Sequence, residues 1–177
     1  MVSLKKLTYK IIPGLLDQKE ISILKKYCRE KHINNYAHFD FQHKNADSGF
    51  YKDELMQVFL NSKKSIIEKA VGLELYETYS FWRCYTFGAD LKKHKDRPPC
   101  EISVTICIDS DKGKWPIFIG RDPVNLNPGD GVIYNACKIE HSREVYEGDY
   151  HMQLFLHYVN KNGRYAHLKG DKGMKRI

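Results

Sequence analysis

The sequence predicts an α+β fold, mainly β, in which two N-terminal helices pack on one sheet of a jelly-roll or cupin-like barrel, the double-stranded β-helix. Three observations lead there. Helical periodicity is confined to the stretch before Leu73. From Leu75 onward, six short β-like runs are separated by Gly, Pro and Asp punctuation. Many of the 12 Tyr and 8 Phe fall in those runs, as a pleated core surface favours.

Taken in order, Leu7–Ile12 reads as a short strand broken by Pro13-Gly14. Asp17 is a good helix cap, and Glu20 three residues later completes a capping-box pattern. Ile21, Leu24, Tyr27 and Cys28 follow helical spacing, which predicts a helix over 17–31. Asn34–Gly49 is polar and reads as a loop near whatever the protein binds. A second helix is predicted over 52–70, with Leu55, Val58, Phe59, Ser62, Ile66, Ile67 and Ala70 inward and Gly72 closing it. The strand-like runs are Tyr76–Phe87, Ile102–Asp109, Ile117–Ile119, Val124–Leu126, Gly131–Asn135 and Tyr150–Asn160.

A length of 177 residues with 42% apolar content suits one domain with a substantial core, and no internal repeat or linker divides it. The expected organisation is helical support over 1–72, barrel over 73–160 and a basic tail over 161–177, whose end Lys169–Ile177 reads as a frayed, solvated terminus. No run approaches the roughly 18 apolar residues of a membrane span, and Met1–Lys6 lacks a signal-peptide core, so a cytoplasmic protein is expected. Five cysteines with no C-x-x-C pair suggest buried free thiols, not a disulfide framework or a thiolate zinc site. The net charge of +7 is a modest, scattered excess. Without a recognition motif it makes a nucleic-acid partner unexpected.

Chemistry concentrates in a split triad. His94 and Asp96 are two residues apart in Leu91–Arg97, so on a strand both face one side while Lys95 faces away. His141 ends the run opened by Asn127-Pro128-Gly129-Asp130-Gly131 and supplies a third donor from another strand. Two imidazoles and a carboxylate are a ligand set for non-haem Fe(II) that leaves positions open for co-substrate and oxygen.

Tyr85-Thr86-Phe87-Gly88, His94–Asp96, the Pro128-Gly129 turn before Val132-Ile133-Tyr134, and His141 occur in that order over about residues 75–160. In this the chain resembles the Fe(II)/2-oxoglutarate-dependent dioxygenases, and within them the prolyl 4-hydroxylase-like branch. The resemblance implies His94, Asp96 and His141 as iron ligands, with Fe(II), 2-oxoglutarate and O2 as cofactor and co-substrates. It implies hydroxylation of an unidentified substrate, a protein or peptide side chain or a small molecule, with release of succinate and CO2. Tyr85 matches the family tyrosine that donates its hydroxyl to 2-oxoglutarate. The family's carboxylate-binding Arg or Lys, about ten residues after the distal histidine, is missing, since His151 and then Gln153 stand there.

Arg143 is two residues after His141, and Arg83 two before Tyr85, so strand alternation turns each toward the barrel interior. A guanidinium fork binds a carboxylate through two parallel bonds, which ranks Arg143 first, Arg83 second and His151 third as the anchor. Ser103 and Thr105, alternating inward on the next strand, are candidate hydroxyl donors. Arg97 is a candidate partner for Asp96 or for substrate. His157 shares the face of His151, Gln153 and Phe155 and reads as a core histidine. The competing readings are a cupin-type metal enzyme that uses no oxo acid, favoured by the missing cation near 151, and a non-catalytic basic binding domain.

Overall fold

The computed structural model describes residues 8–34 and 48–171. In chain order the regular elements are β1 (Tyr9–Ile12), α1 (Gln18–Ile33), β2 (Ser48–Tyr51), α2 (Glu54–Val71), β3 (Leu75–Tyr85), β4 (Leu91–His94), β5 (Ile102–Ser110), β6 (Ile117–Ile119), β7 (Asp122–Val124), β8 (Gly131–Tyr134), β9 (His141–Arg143) and β10 (His151–Asn160). Short 3-10 turns cover Pro98–Cys100 and Ala166–Leu168. A six-stranded sheet runs β1-β8-β5-β10-β3-β2, and a four-stranded sheet runs β4-β9-β6-β7. All pairings are antiparallel. This is a two-sheet jelly roll carrying two helices on its larger sheet, as the sequence predicts.

Asp17 and Glu20 form the reciprocal cap. Asp17 Oδ1 accepts from the Lys19 and Glu20 amides at 2.8 Å each, and Glu20 Oε2 accepts from the Asp17 amide at 2.8 Å. Glu20 also takes Lys63 of α2 at 2.6 Å, which ties the helices together. The buried stripe of α2 is Met56, Phe59, Leu60, Lys63, Ile67 and Val71. That corrects the expected inner face, because Val58, Ser62 and Ile66 lie out in solvent. The helix is rotated so that Lys63 reaches Glu20 and Gln57 reaches the backbone and hydroxyl of Ser80, polar constraints that hydrophobic spacing does not register.

Alternation along the long strands divides their side chains between two cores. Trp82 and Cys84 on β3, Val104, Ile106 and Ile108 on β5, and Met152, Leu154, Leu156 and Tyr158 on β10 meet the helices. Tyr79, Phe81, Arg83 and Tyr85, then Ser103, Thr105 and Cys107, and His151, Gln153, Phe155 and His157 turn the other way, between the sheets. Register sets Tyr79 opposite His157, Phe81 opposite Phe155, Arg83 opposite Gln153 and Tyr85 opposite His151.

The Asn127–Asp130 turn is fixed from both sides. Gly129 has φ +91°, and a Cβ there would stand 2.8 Å from the Leu16 carbonyl, so the position requires glycine. Its carbonyl accepts from the Leu16 amide at 3.0 Å, while Asp130 accepts from Gly14 at 2.9 Å.

Four further expectations change. The strand expected at 124–126 lies at Asp122–Val124. The 131–135 run ends at Tyr134, and His141 opens β9 in the other sheet. Lys169–Asp171 is not a frayed end, because the Gly170 amide donates to Glu77 O at 2.8 Å and Asp171 accepts from Tyr51 at 2.8 Å and Arg97 at 2.5 Å. Within the predicted 34–49 loop, Ser48 and Gly49 belong to β2. Positions 35–47 of that loop, Leu7, and 172–177 of the tail lie outside the described residues.

Candidate functional site

His94 and His141 are direct cross-strand partners on β4 and β9, with ring centroids 4.3 Å apart. Asp96 lies just beyond β4, where its amide donates to Ala136 O at 2.9 Å. One ligand-type atom from each of the three lies within 4.8 Å of the others. Asp96 Oδ1 is 3.3 Å from His94 Nε2 and 3.6 Å from His141 Nε2. The opposite ring nitrogens are held by backbone: His94 Nδ1 is 2.7 Å from Lys92 O, and His141 Nδ1 is 3.2 Å from Ile139 O. A proton on each Nδ1 donates to its carbonyl and leaves Nε2 directed at the common point.

Burial pushes the Asp96 carboxyl up, but its bonds to His141 and His94 outweigh that and hold it well below the ordinary carboxylate range. The hydrogen bond with Asp96 raises His94 against its desolvation. Side-chain exposure falls from 38% at His94 through 22% at Asp96 to 4% at His141, so the triad opens to solvent on the His94 side. Two imidazoles held by backbone carbonyls and one ionised carboxylate fit a divalent iron.

On the same inner surface a second cluster surrounds Arg143, which is fully enclosed, two residues along β9 from His141. Arg143 Nη1 donates to Trp115 O, Nη2 donates to Gln153 Oε1 at 2.8 Å, and the guanidinium stacks over the Trp115 indole at 4.5 Å. Gln153 Oε1 also accepts from His151 Nε2 at 2.7 Å. Among the described residues no carboxylate pairs with Arg143, and burial lowers its affinity for its proton. Among the described residues, Gln153 Nε2 and His151 Nδ1 are buried without hydrogen-bond partners. Tyr85 is buried beside them, edge-on to Trp115 at 5.0 Å and 6.4 Å from the His151 ring.

Other expected residues divide. Arg83 is buried on the inner face, its guanidinium 5.2 Å from the Phe81 ring and 5.5 Å from the Tyr85 ring. Thr105 Oγ1 is 3.4 Å from the hydroxyl of Tyr134, whose ring lies 5.1 Å from His141. Ser103 is turned elsewhere: its hydroxyl lies 3.1 Å from Cys100 O and 2.8 Å from His157 Nδ1. Arg97 pairs with Asp171 and lies over the Tyr79 ring at 4.7 Å, so the structure gives it to the C-terminal segment and not to Asp96. Tyr134 beside His141 and Trp115 under Arg143 are site residues that no motif marks. Alternation from Val132 would have turned Tyr134 inward, whereas nothing local marks Trp115 as the partner of a residue 28 positions away.

Burial and the nearby guanidinium lower His151 to about 3, and burial lowers His157 to about 4. Both rings stay neutral in the folded chain, while the unfolded chain takes up protons near pH 6.5. The unfolded state therefore binds more protons below that pH, and stability falls as pH drops from 6.5 toward 4 and 3. His94, raised when folded, acts in the opposite direction. We expect the urea midpoint to fall on acidification through this window, and to fall less in His151→Gln. An equal fall in that variant would show that His151 is not held neutral.

No protein-family model matches the chain, and no curated protein matches it in sequence. Solved structures do match in fold. A prolyl-4-hydroxylase from Pseudomonas putida superposes with a TM-score of 0.68 at 15% identity, covering 89% of this chain and 95% of that one. The non-haem α-ketoglutarate-dependent epimerase SnoN of nogalamycin biosynthesis gives 0.72 at 12% identity, covering 98% and 88%. The viral collagen prolyl hydroxylase of Paramecium Bursaria Chlorella virus-1, in complex with 2-oxoglutarate, gives 0.67 at 9% identity, covering 88% and 97%. The chain therefore has the jelly-roll fold of these oxygenases.

Proposed function

We propose that this chain is an Fe(II)- and 2-oxoglutarate-dependent dioxygenase that hydroxylates an organic substrate, a protein or peptide side chain or a small molecule. The observation that carries the reading is Arg143: a buried guanidinium without a carboxylate partner among the described residues, on the strand that supplies His141. A buried charge of that kind calls for an anion, and a five-carbon oxo diacid has a carboxylate to spare after its keto-acid end is engaged. The named activities of the three structural relatives point the same way.

In this reading His94, Asp96 and His141 hold iron through two Nε2 atoms and a carboxylate oxygen. When bound, iron with 2-oxoglutarate and O2 would supply the oxidising chemistry that yields a hydroxylated substrate, succinate and CO2. Arg143 would hold the far carboxylate, with Gln153 Nε2 as an added donor. Tyr85 offers a hydroxyl on the same wall. Trp115 and Tyr134 exclude water around the anchor and the buried histidine. Substrate approaches from the His94 side, where Lys93 and Lys95 are exposed. Five free thiols suit a reducing compartment, and we assign the protein to the cytoplasm.

The test is spectroscopic. Anaerobic Fe(II)-loaded protein is expected to develop a visible metal-to-ligand charge-transfer band on adding 2-oxoglutarate, and to form succinate once O2 is admitted. Absence of the band at saturating 2-oxoglutarate would assign the chain to the metal enzymes of this architecture that use no oxo acid.

A further inference from the structure

Asp96 belongs to a second set of ligand-type side chains. Cys100 ends the 3-10 turn that follows Arg97, His157 lies on the inner face of β10, and one ligand-type atom of each lies within 4.8 Å of one from Asp96. Cys100 and His157 are buried, and the dioxygenase reading uses neither. His157 Nδ1 is 2.8 Å from Ser103 Oγ, which leaves Nε2 as the free donor, and Cys100 Sγ is 3.0 Å from the Tyr79 hydroxyl. The Tyr79 ring packs on His157 at 4.4 Å and carries Arg97 on its other contacts at 4.7 Å. Both donors are thus held by polar neighbours, the arrangement that orients ligands around a metal.

We infer that Asp96, Cys100 and His157 form a second metal site, selective for a thiolate-seeking divalent cation of the Zn2+ class, and that filling it withdraws Asp96 from the iron triad. Charge supports the site. A thiolate and a carboxylate neutralise a dication, so the complex is neutral where burial penalises net charge. The iron triad has a single carboxylate, keeps a net positive charge with a dication, and so favours an anionic co-substrate. Ligand type separates the two sites further, since sulfur selects softer ions than imidazole and carboxylate do. When the ion binds, the Cys100 S–H bond breaks, the proton leaves to solvent and a sulfur–metal bond forms, with no change in oxidation state. Asp96 is the one residue common to both sets. A thiolate-seeking ion therefore acts as an inhibitor that works through a ligand and not by entering the iron position. Binding at this site rests on its own geometry; only the inhibitory consequence rests on the dioxygenase reading.

Cobalt(II) is the probe, added anaerobically to the metal-free full chain without 2-oxoglutarate. The expected result is a near-ultraviolet thiolate-to-cobalt charge-transfer band at one ion per chain. It persists in His94→Ala and Cys137→Ser and disappears in Cys100→Ser, with near-ultraviolet circular dichroism reporting the fold. Cys100→Ala serves if the serine variant does not fold. A wild-type chain without the band, or a Cys100 variant that keeps it, overturns the site. For the consequence, the Zn2+ concentration that halves turnover of the iron-loaded enzyme is expected to rise at least tenfold in Cys100→Ser. Equal inhibition overturns the competition for Asp96. Since the cobalt band requires no turnover, an inactive enzyme that shows it would count against the dioxygenase reading alone.

Discussion

His94→Ala and Asp96→Ala are each expected to abolish iron binding and 2-oxoglutarate turnover. With three protein donors, removing one leaves a pair that cannot define a face of the coordination sphere. Asp96 carries the larger burden because it is the only anion of the three, and without it a dication would sit against two imidazoles with no compensating charge. Changes to groups that merely support metal ligands cost about 10–100-fold in affinity, so loss of a ligand is expected to exceed about 100-fold. His94 is the cleaner test for folding, since its side chain is 38% exposed and its one backbone bond lies within its own strand. Anaerobic Fe(II) or Mn(II) titration measures binding, and succinate formation measures turnover. Full turnover in either variant would remove these residues from the metal site.

Where a short stretch decides the structure, local rules make it legible in the sequence. The Asp17–Glu20 box is a reciprocal bond within four residues, and the two faces of β10 follow from alternation alone. The spacing of His94 and Asp96 was equally legible, though not for the reason that spacing suggests. β4 ends at His94, and Asp96 reaches the same centre because its amide is caught by Ala136 O.

What stayed hidden is what only pairing between distant segments creates. His141 reads from sequence as the end of the strand begun at Gly131. The chain instead leaves the larger sheet after Tyr134, turns through Asn135–Glu140 and re-enters in the smaller sheet opposite His94. The rotation of α2 was lost because Lys63 and Gln57 take polar partners from α1 and β3 that lie 43 and 23 residues away. Cys100 and His157 each read as bland core residues. Their common approach to Asp96 exists because a 3-10 turn and the bulged end of β10 meet beneath the triad.

Arg143→Met is expected to leave metal binding intact while raising the 2-oxoglutarate concentration needed for half-saturation by at least about 30-fold, since breaking a buried charge–carboxylate contact costs about 2–5 kcal/mol. Arg143→Lys is expected to recover little, because an ammonium cannot reproduce the planar fork or the stacking on Trp115. The stability of the ligand-free chain gives an independent readout. Removing one member of a buried ion pair costs about 3–5 kcal/mol, yet Arg143 has no carboxylate partner among the described residues. Its removal relieves the desolvation of the guanidinium and forfeits the bonds to Trp115 O and Gln153 Oε1. The net change in the ligand-free protein is therefore expected to stay below about 2 kcal/mol, nearer the cost of lost hydrogen bonds than of a broken pair. With Mn(II) present, 2-oxoglutarate at 100 times its dissociation constant for the wild type should stabilise the wild type by about 2.7 kcal/mol and Arg143→Met by less than about 1 kcal/mol at the same concentration. Arg83→Met, measured alongside, separates the two guanidinium candidates. If it carries the loss of 2-oxoglutarate affinity while Arg143→Met does not, the anchor lies on β3 and the charge on β9 requires another explanation.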